Sequence, residues 1–110
     1  MYFLGNGNGT FQKAVTYHVG NRPNGMAVAD FNADRNGDLV TANWVSREVS
    51  VLLGNADGTF QPEVRYPIGS GPYSIAVGDF NGDGLPDIAA TPERIFNGTT
   101  VNVILNSGQK

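Results

Sequence analysis

The sequence has no cysteine, one histidine and no apolar run approaching the roughly 20 residues that a membrane-spanning helix needs. The absence of cysteine excludes disulfides and thiolate metal sites, and it leaves the redox compartment open. His18 has no second histidine as a companion, and no serine or cysteine is placed to use it as a base, so we interpret it as a surface residue. We therefore expect no enzymatic activity and no membrane insertion.

Basic residues are few and scattered, whereas the acidic residues are clustered. The seven Lys and Arg give a net charge of -3, which argues against a nucleic acid or an anionic membrane as partner. Crowded carboxylates repel one another unless a cation lies among them, so the acidic clusters indicate a metal site. Six of the ten acidic residues lie in two nine-residue windows: Asp30, Asp34 and Asp38, and Asp79, Asp83 and Asp87.

Two copies of one pattern follow each other along the chain. The run LGNGNGTFQ at residues 4–12 recurs as LGNADGTFQ at residues 53–61, 49 positions later. The same spacing relates Asp38 to Asp87, while VSVLLGN at 49–55 and VNVILNS at 101–107 are 52 apart, which places a three-residue insertion in the intervening loop.

Short apolar segments separated by Gly, Asn, Asp and Pro predict strands, and 15 glycines with six prolines favour an all-β fold. The complete copy has four such segments, and four antiparallel strands per 40–50 residues are typical of a β-propeller blade. We predict strands at 26–31, 38–43, 48–53 and 60–68.

The fold class is therefore all-β, with two four-stranded antiparallel propeller blades. Residues 1–19 end a preceding blade with a third-strand remnant at 1–4 and an outer strand at 11–19. Residues 20–68 form a complete blade, and residues 69–110 form a blade that lacks its outer strand, its third strand being 101–105. Since a ring needs about four to eight blades, either the chain is part of a longer one or several copies close a ring, with 11–19 completing a neighbour's final blade.

The second acidic window has the spacing of a calcium loop. Oxygen-bearing side chains occupy its first, third, fifth and ninth positions, Gly84 permits a sharp turn, and calcium takes six to eight oxygen ligands. An EF-hand is excluded because Ala90 stands where a bidentate Glu is required. The alternative is an Asx-rich turn without metal. The predicted ligands are Asp79, Asn81, Asp83, the carbonyl of Leu85, and Asp87.

The first window keeps the same side-chain ligands but has Arg35 in place of Gly84. A side chain at a left-handed position costs on the order of 1 kcal/mol, so we expect weaker calcium binding here, with Gly37 shifting the turn. The corresponding ligands are Asp30, Asn32, Asp34, the carbonyl of Asn36, and Asp38.

The DFNGDGLPDIAA loop, the LGNADGTFQ turn and the repeat length together resemble the FG-GAP (VCBS) repeat family of calcium-binding β-propellers. The resemblance covers nearly the whole chain, and it is more specific for the second loop than for the first, where Ala33, Arg35 and the Asn36-Gly37 pair depart from the pattern. It implies a loop between the first two strands of each blade. It also implies an extracellular or cell-surface setting, as in integrin α-subunit heads, lectins and bacterial surface proteins.

Three functions are compatible with these features. The first is a calcium-stabilised adhesion module whose rim loops bind a protein or glycan. The second is an accessory segment of a secreted polysaccharide-acting enzyme, and the third a purely architectural unit that assembles into a ring. Trp44 either stacks on a bound sugar or packs between blades, and packing is the preferred interpretation.

Overall fold

A computed structural model describes residues 3–69, 71–92 and 101–107. The described residues form seven strands and no helix, and no segment among them qualifies as a membrane-spanning helix. The fold is all-β, as predicted. The strands are β1 (Pro23–Ala29), β2 (Asp38–Asn43), β3 (Glu48–Leu52), β4 (Val64–Pro67), β5 (Pro72–Gly78), β6 (Asp87–Pro92) and β7 (Asn102–Ile104).

The strands form two antiparallel sheets in which each strand pairs with the next along the chain. The first sheet has the order β1-β2-β3-β4 and the second the order β5-β6-β7. The register shifts between Pro23 and Gly25 in β1, and it shifts at the equivalent place in β5, between Pro72 and Ser74. The two copies of the sequence pattern are therefore two copies of one structure, although the described residues form no closed ring.

Strand bounds follow the prediction most closely in the middle of the first sheet. β2 has the predicted bounds, and β3 is one residue shorter than predicted. β1 begins three residues earlier and ends before the acidic loop. β4 begins only at Val64, because Pro62 has no N–H to donate to a strand ladder.

Residues 11–19 form no regular strand, which corrects the predicted outer strand. Phe11 makes an isolated bridge with Gly5, as Phe60 does with Gly54. Further along this segment the Tyr17 ring packs edge-on against Phe60, with the ring centroids 5.5 Å apart. Val15 takes part in a further isolated bridge, and no continuous strand forms between it and Phe11. Residues 1–2 of the predicted third-strand remnant and the predicted insertion within 93–100 lie outside the described residues.

The core lies between the two sheets. Val40 and Val49 of the first sheet are fully buried, and Ile75 and Val77 of the second sheet pack against the same cluster. At one end of this interface Gly71 approaches Trp44 so closely that a Cβ atom on Gly71 would lie 2.5 Å from the indole Cδ1. Trp44 therefore packs between the sheets, in agreement with the preferred interpretation.

A polar network crosses the outer part of the first sheet. Asn43 donates to Ser50 Oγ at 2.7 Å, and Ser50 donates to Glu63 Oε1 at 2.6 Å. Arg65 holds both oxygens of Glu63, at 2.9 and 3.1 Å, and forms an ion pair with Glu48 at 3.2 Å without hydrogen-bond geometry. The Arg65 guanidinium keeps the pKa of Glu63 below its usual value.

Candidate metal centre

The two acidic loops occupy equivalent places, one between β1 and β2 and the other between β5 and β6. Each begins with an aspartate whose carboxylate accepts hydrogen bonds from the loop's own backbone. Asp79 Oδ1 accepts from Gly82 N at 2.9 Å and from Asp83 N at 3.2 Å, and its Oδ2 accepts from Gly84 N at 2.8 Å. These bonds, that from Gly84 foremost, hold the pKa of Asp79 below its ordinary value. The first aspartate thus holds the loop backbone around its own carboxylate, which stays ionised.

The second loop brings three predicted ligands together. Asp79, Asp83 and Asp87 each offer a carboxylate oxygen, and these oxygens lie within 4.8 Å of one another. Two oxygens bound to one calcium ion at 2.3–2.6 Å can be at most about 5.2 Å apart, so the observed spacing fits a shared ion. Asn81 is exposed in the same loop, and Leu85 donates its N–H to Asp83 Oδ1 at 3.0 Å.

The ninth aspartate of each loop has a second role that sequence reasoning missed. Asp87 is fully buried and accepts from Phe80 N at 2.9 Å and from Asn106 N at 2.8 Å. Asp38 is likewise buried and accepts from Phe31 N at 2.8 Å and from Gly54 N at 2.7 Å. In both copies this carboxylate ties the start of the loop to the residues just after the third strand. This second role could have been inferred from the sequence, because the aspartate is the first residue of a buried strand and a buried charge requires hydrogen-bond partners.

The first loop repeats the backbone pattern but does not gather its acids. Asp30 accepts from Asp34 N at 3.1 Å and from Arg35 N at 2.7 Å. Asp34 accepts from Asn36 N at 2.9 Å, and this bond is the main cause of its lowered pKa. Among the described residues, which include all of this loop, the carboxylates of Asp30, Asp34 and Asp38 do not form a group like that of the second loop.

Left-handed backbone recurs at the same two positions of both loops. Gly82 and Gly84 have φ of 74° and 85°. Ala33 and Arg35 occupy the equivalent places with φ of 59° and 69°, a conformation that costs about 1–2 kcal/mol for a residue with a Cβ. The prediction that Gly37 shifts the turn is wrong. The backbone of the first loop follows the path of the second loop, and Ala33 and Arg35 adopt the strained left-handed conformation.

Asn32 supplies an observation that bears on a cation in the first loop. Its side-chain oxygen is hidden from solvent and has no hydrogen-bond partner. A buried carbonyl oxygen left unpaired costs about 1–3 kcal/mol, and a bound cation would remove that cost. Asn32 was predicted as the third-position ligand, and its unpaired oxygen suits that role.

Asn106 links the two loops and was also missed from sequence. Its backbone N–H is held by Asp87, and its side-chain Nδ2 donates to the carbonyl oxygen of Phe31 at 2.5 Å. The end of the second sheet's third strand therefore contacts the start of the first loop. The partners are 75 residues apart in sequence, a separation that no local pattern could have connected.

Two packed antiparallel sheets built from one repeat, each with an aspartate-rich loop between its first two strands, define a protein made of tandem β-sheet repeats. The family model for the FG-GAP-like repeat matches residues 30–90, which is more than half of the chain and includes both loops. The chain belongs to this family. Neither the comparison with curated proteins nor that with solved structures found a match.

Proposed function

We propose that the chain is a calcium-binding propeller-repeat module whose main metal site is the second loop. The observation that supports this most strongly is the convergence of Asp79, Asp83 and Asp87 within 4.8 Å. These three carboxylates have no basic side chain among their hydrogen-bond partners in the described residues; their partners are backbone N–H groups. Family membership points in the same direction.

The residues fit a hard cation better than any other group. Carboxylates and amide carbonyls are the oxygen ligands that calcium prefers, and no sulfur or imidazole ligand is present in the loop. Bound calcium would supply the positive charge that offsets three neighbouring carboxylates. Asp79 and Asp83 would be its exposed ligands, while Asp87 holds the loop to the sheet whether or not the ion is bound.

The first loop is proposed as a weaker site. It keeps the unpaired oxygen of Asn32, but its three carboxylates do not form a group like that of the second loop, and Ala33 and Arg35 strain its backbone. Bringing the ligands of the first loop together around a calcium ion would therefore reduce the net free energy of calcium binding there. The second loop should fill first in a calcium titration.

Thermal unfolding with and without a chelator tests the proposal. Calcium at one hundred times its Kd stabilises the folded state by about 2.7 kcal/mol, which for a domain of this size raises Tm by roughly 10 °C. At calcium concentrations that fill only the second loop, Asp83→Asn should abolish the calcium-dependent shift. It should leave Tm in chelator almost unchanged, because an asparagine oxygen can still accept from Leu85 N.

The matched control is Asp57→Asn. Asp57 is an exposed aspartate in a turn, accepting from Thr59 N at 3.0 Å and from Thr59 Oγ1 at 2.6 Å, and it lies outside both loops. This variant should lose a little stability equally in calcium and in chelator. Equal Tm values for the unmodified chain in both conditions would contradict the proposal.

The biological role proposed for the module is binding of a protein or glycan outside the cell. Extracellular modules hold calcium with Kd values of about 10⁻⁴–10⁻³ M, a range that suits solvent-exposed ligands such as Asp79 and Asp83. A glycan array probed with the calcium-loaded chain tests this role. Assays for polysaccharide hydrolase and lyase activity test the alternative role as part of an enzyme.

A further inference from the structure

Two apolar residues of β1 are exposed where their counterparts in β5 are covered. Met26 and Val28 are 58% and 64% exposed. The residues 49 positions later, Ile75 and Val77, pack against the core between the sheets. The first sheet covers Ile75 and Val77. We call Met26 and Val28 the leading face.

On the opposite side of the second sheet, apolar side chains are exposed where their counterparts in the first sheet are covered. Four of its apolar side chains are between 52% and 59% exposed, whereas three of their counterparts in the first sheet are no more than 9% exposed and the fourth packs against the core. We call these four residues the trailing face. They are Phe80, Val101, Val103 and Leu105, and their counterparts are Phe31, Val49, Val51 and Leu53.

We propose that the chain associates head to tail, the leading face of one copy docking on the trailing face of a second copy. This goes beyond calcium binding. The complementarity of the two faces is already present in the molecule, because the first sheet's copy of the trailing face packs on the second sheet's copy of the leading face. The contact between copies would repeat that contact with the residues of the next repeat.

The symmetry of such a contact is specific. The two docking faces are different surfaces, so each copy keeps one free face after pairing, and further copies add until a ring closes. A face that paired with itself would stop at a dimer. Head-to-tail docking of unmodified chains therefore predicts growth until a ring closes, whereas a copy with one face blocked can form only an open pair with a copy whose other face is blocked.

Docking has an identifiable cost near the N-terminus. Gly5 bridges Phe11 in the way that Gly54 bridges Phe60. By the repeat spacing, Asn106 of the incoming copy corresponds to Gly54 and would take the place that Gly5 now holds. Residues 3–5 must therefore move aside, which loses the 2.7 Å bond from Gln12 N to Leu4 O.

Sedimentation velocity and light scattering of the full chain in saturating calcium, over a range of concentrations, test the proposal. The unmodified chain should form oligomers as concentration rises. Val28→Glu on the leading face and Val103→Glu on the trailing face should each give a monomer. Both replace exposed side chains, so circular dichroism should confirm an unchanged fold.

Val45→Glu is the matched control, since Val45 is 53% exposed but belongs to neither face. It should associate like the unmodified chain.

Mixing the two monomeric variants gives the sharpest result. Val28→Glu retains a trailing face and Val103→Glu retains a leading face, so an equimolar mixture should form a 1:1 dimer and nothing larger. A monomeric unmodified chain at every concentration, an oligomer that persists in both variants, or a mixture that stays monomeric would each overturn the proposal. Association measured this way does not depend on whether the loops bind calcium, so the two proposals can fail separately.

Discussion

The buried aspartate that ends the first loop should be among the most sensitive positions of the fold. Asp38→Ala removes the acceptor of two backbone N–H groups, those of Phe31 and Gly54, which Asp38 holds at 2.8 and 2.7 Å. Asp38 is fully buried, so water does not reach its carboxylate. Each unpaired buried donor costs about 1–3 kcal/mol. We therefore expect a loss of about 2–6 kcal/mol from a total stability on the order of 5–15 kcal/mol.

Urea unfolding in chelator measures this loss without any contribution from a metal ion. Asp38→Asn should lie between Ala and the unmodified chain, because asparagine keeps one acceptor oxygen. Asp34→Asn is the control: Asp34 is exposed and accepts from Asn36 N at the surface, so its variant should change stability by less than about 0.5 kcal/mol. The reasoning is refuted if Asp38→Ala, with an unchanged m-value, unfolds at the same urea concentration as the control.

Three further substitutions test other parts of the structure. Gly71→Ala places a Cβ 2.5 Å from the Trp44 ring and 2.8 Å from its backbone oxygen. It should therefore lower the free energy of unfolding in urea by about 1–3 kcal/mol. An unchanged free energy of unfolding would show that the two sheets move apart at little cost. Arg35→Gly relieves a φ of 69° and should raise stability by about 0.5–1 kcal/mol, the relief of strain being partly offset by the freer unfolded chain; a lower Tm would contradict this. Glu63→Gln should destabilise at pH 7, because the lowered folded-state pKa means that the ionised form contributes stability above the unfolded value of about 4.5 and loses it as pH falls through the folded value. The difference in Tm between Glu63→Gln and the unmodified chain should therefore shrink as pH falls below about 4.5, and a difference independent of pH would disagree.

Local features of the fold could be predicted from sequence because they depend on local patterns. The strand at 38–43 is bounded by an acidic loop and a turn, and its apolar residues pack on both sides. The exposed loop residues follow from the spacing of Asp79 and Asp83, since alternate side chains of a tight loop point the same way. The left-handed conformation of Arg35 could also be predicted, because the repeat aligns Arg35 with Gly84.

Features that depend on distant residues could not be predicted. The buried bonds of Asp87 reach Asn106, which is 19 residues away, and nothing in the loop itself specifies that partner. The segment at 11–19 has the apolar pattern of a strand, but a strand also needs a continuous ladder of hydrogen bonds, and this segment makes only isolated bridges at Phe11 and Val15. Identical spacing likewise did not reveal that the second loop gathers its three carboxylates and the first does not.

Isothermal titration of calcium into the chelator-treated chain, compared with the Asp83→Asn variant, tests the central claim most directly. We predict a first binding event near one calcium per chain that Asp83→Asn removes, while Asp57→Asn keeps it. Absence of any binding heat and of any calcium-induced rise in Tm, or an equal first binding event in Asp83→Asn, would contradict the assignment of the second loop as the metal site.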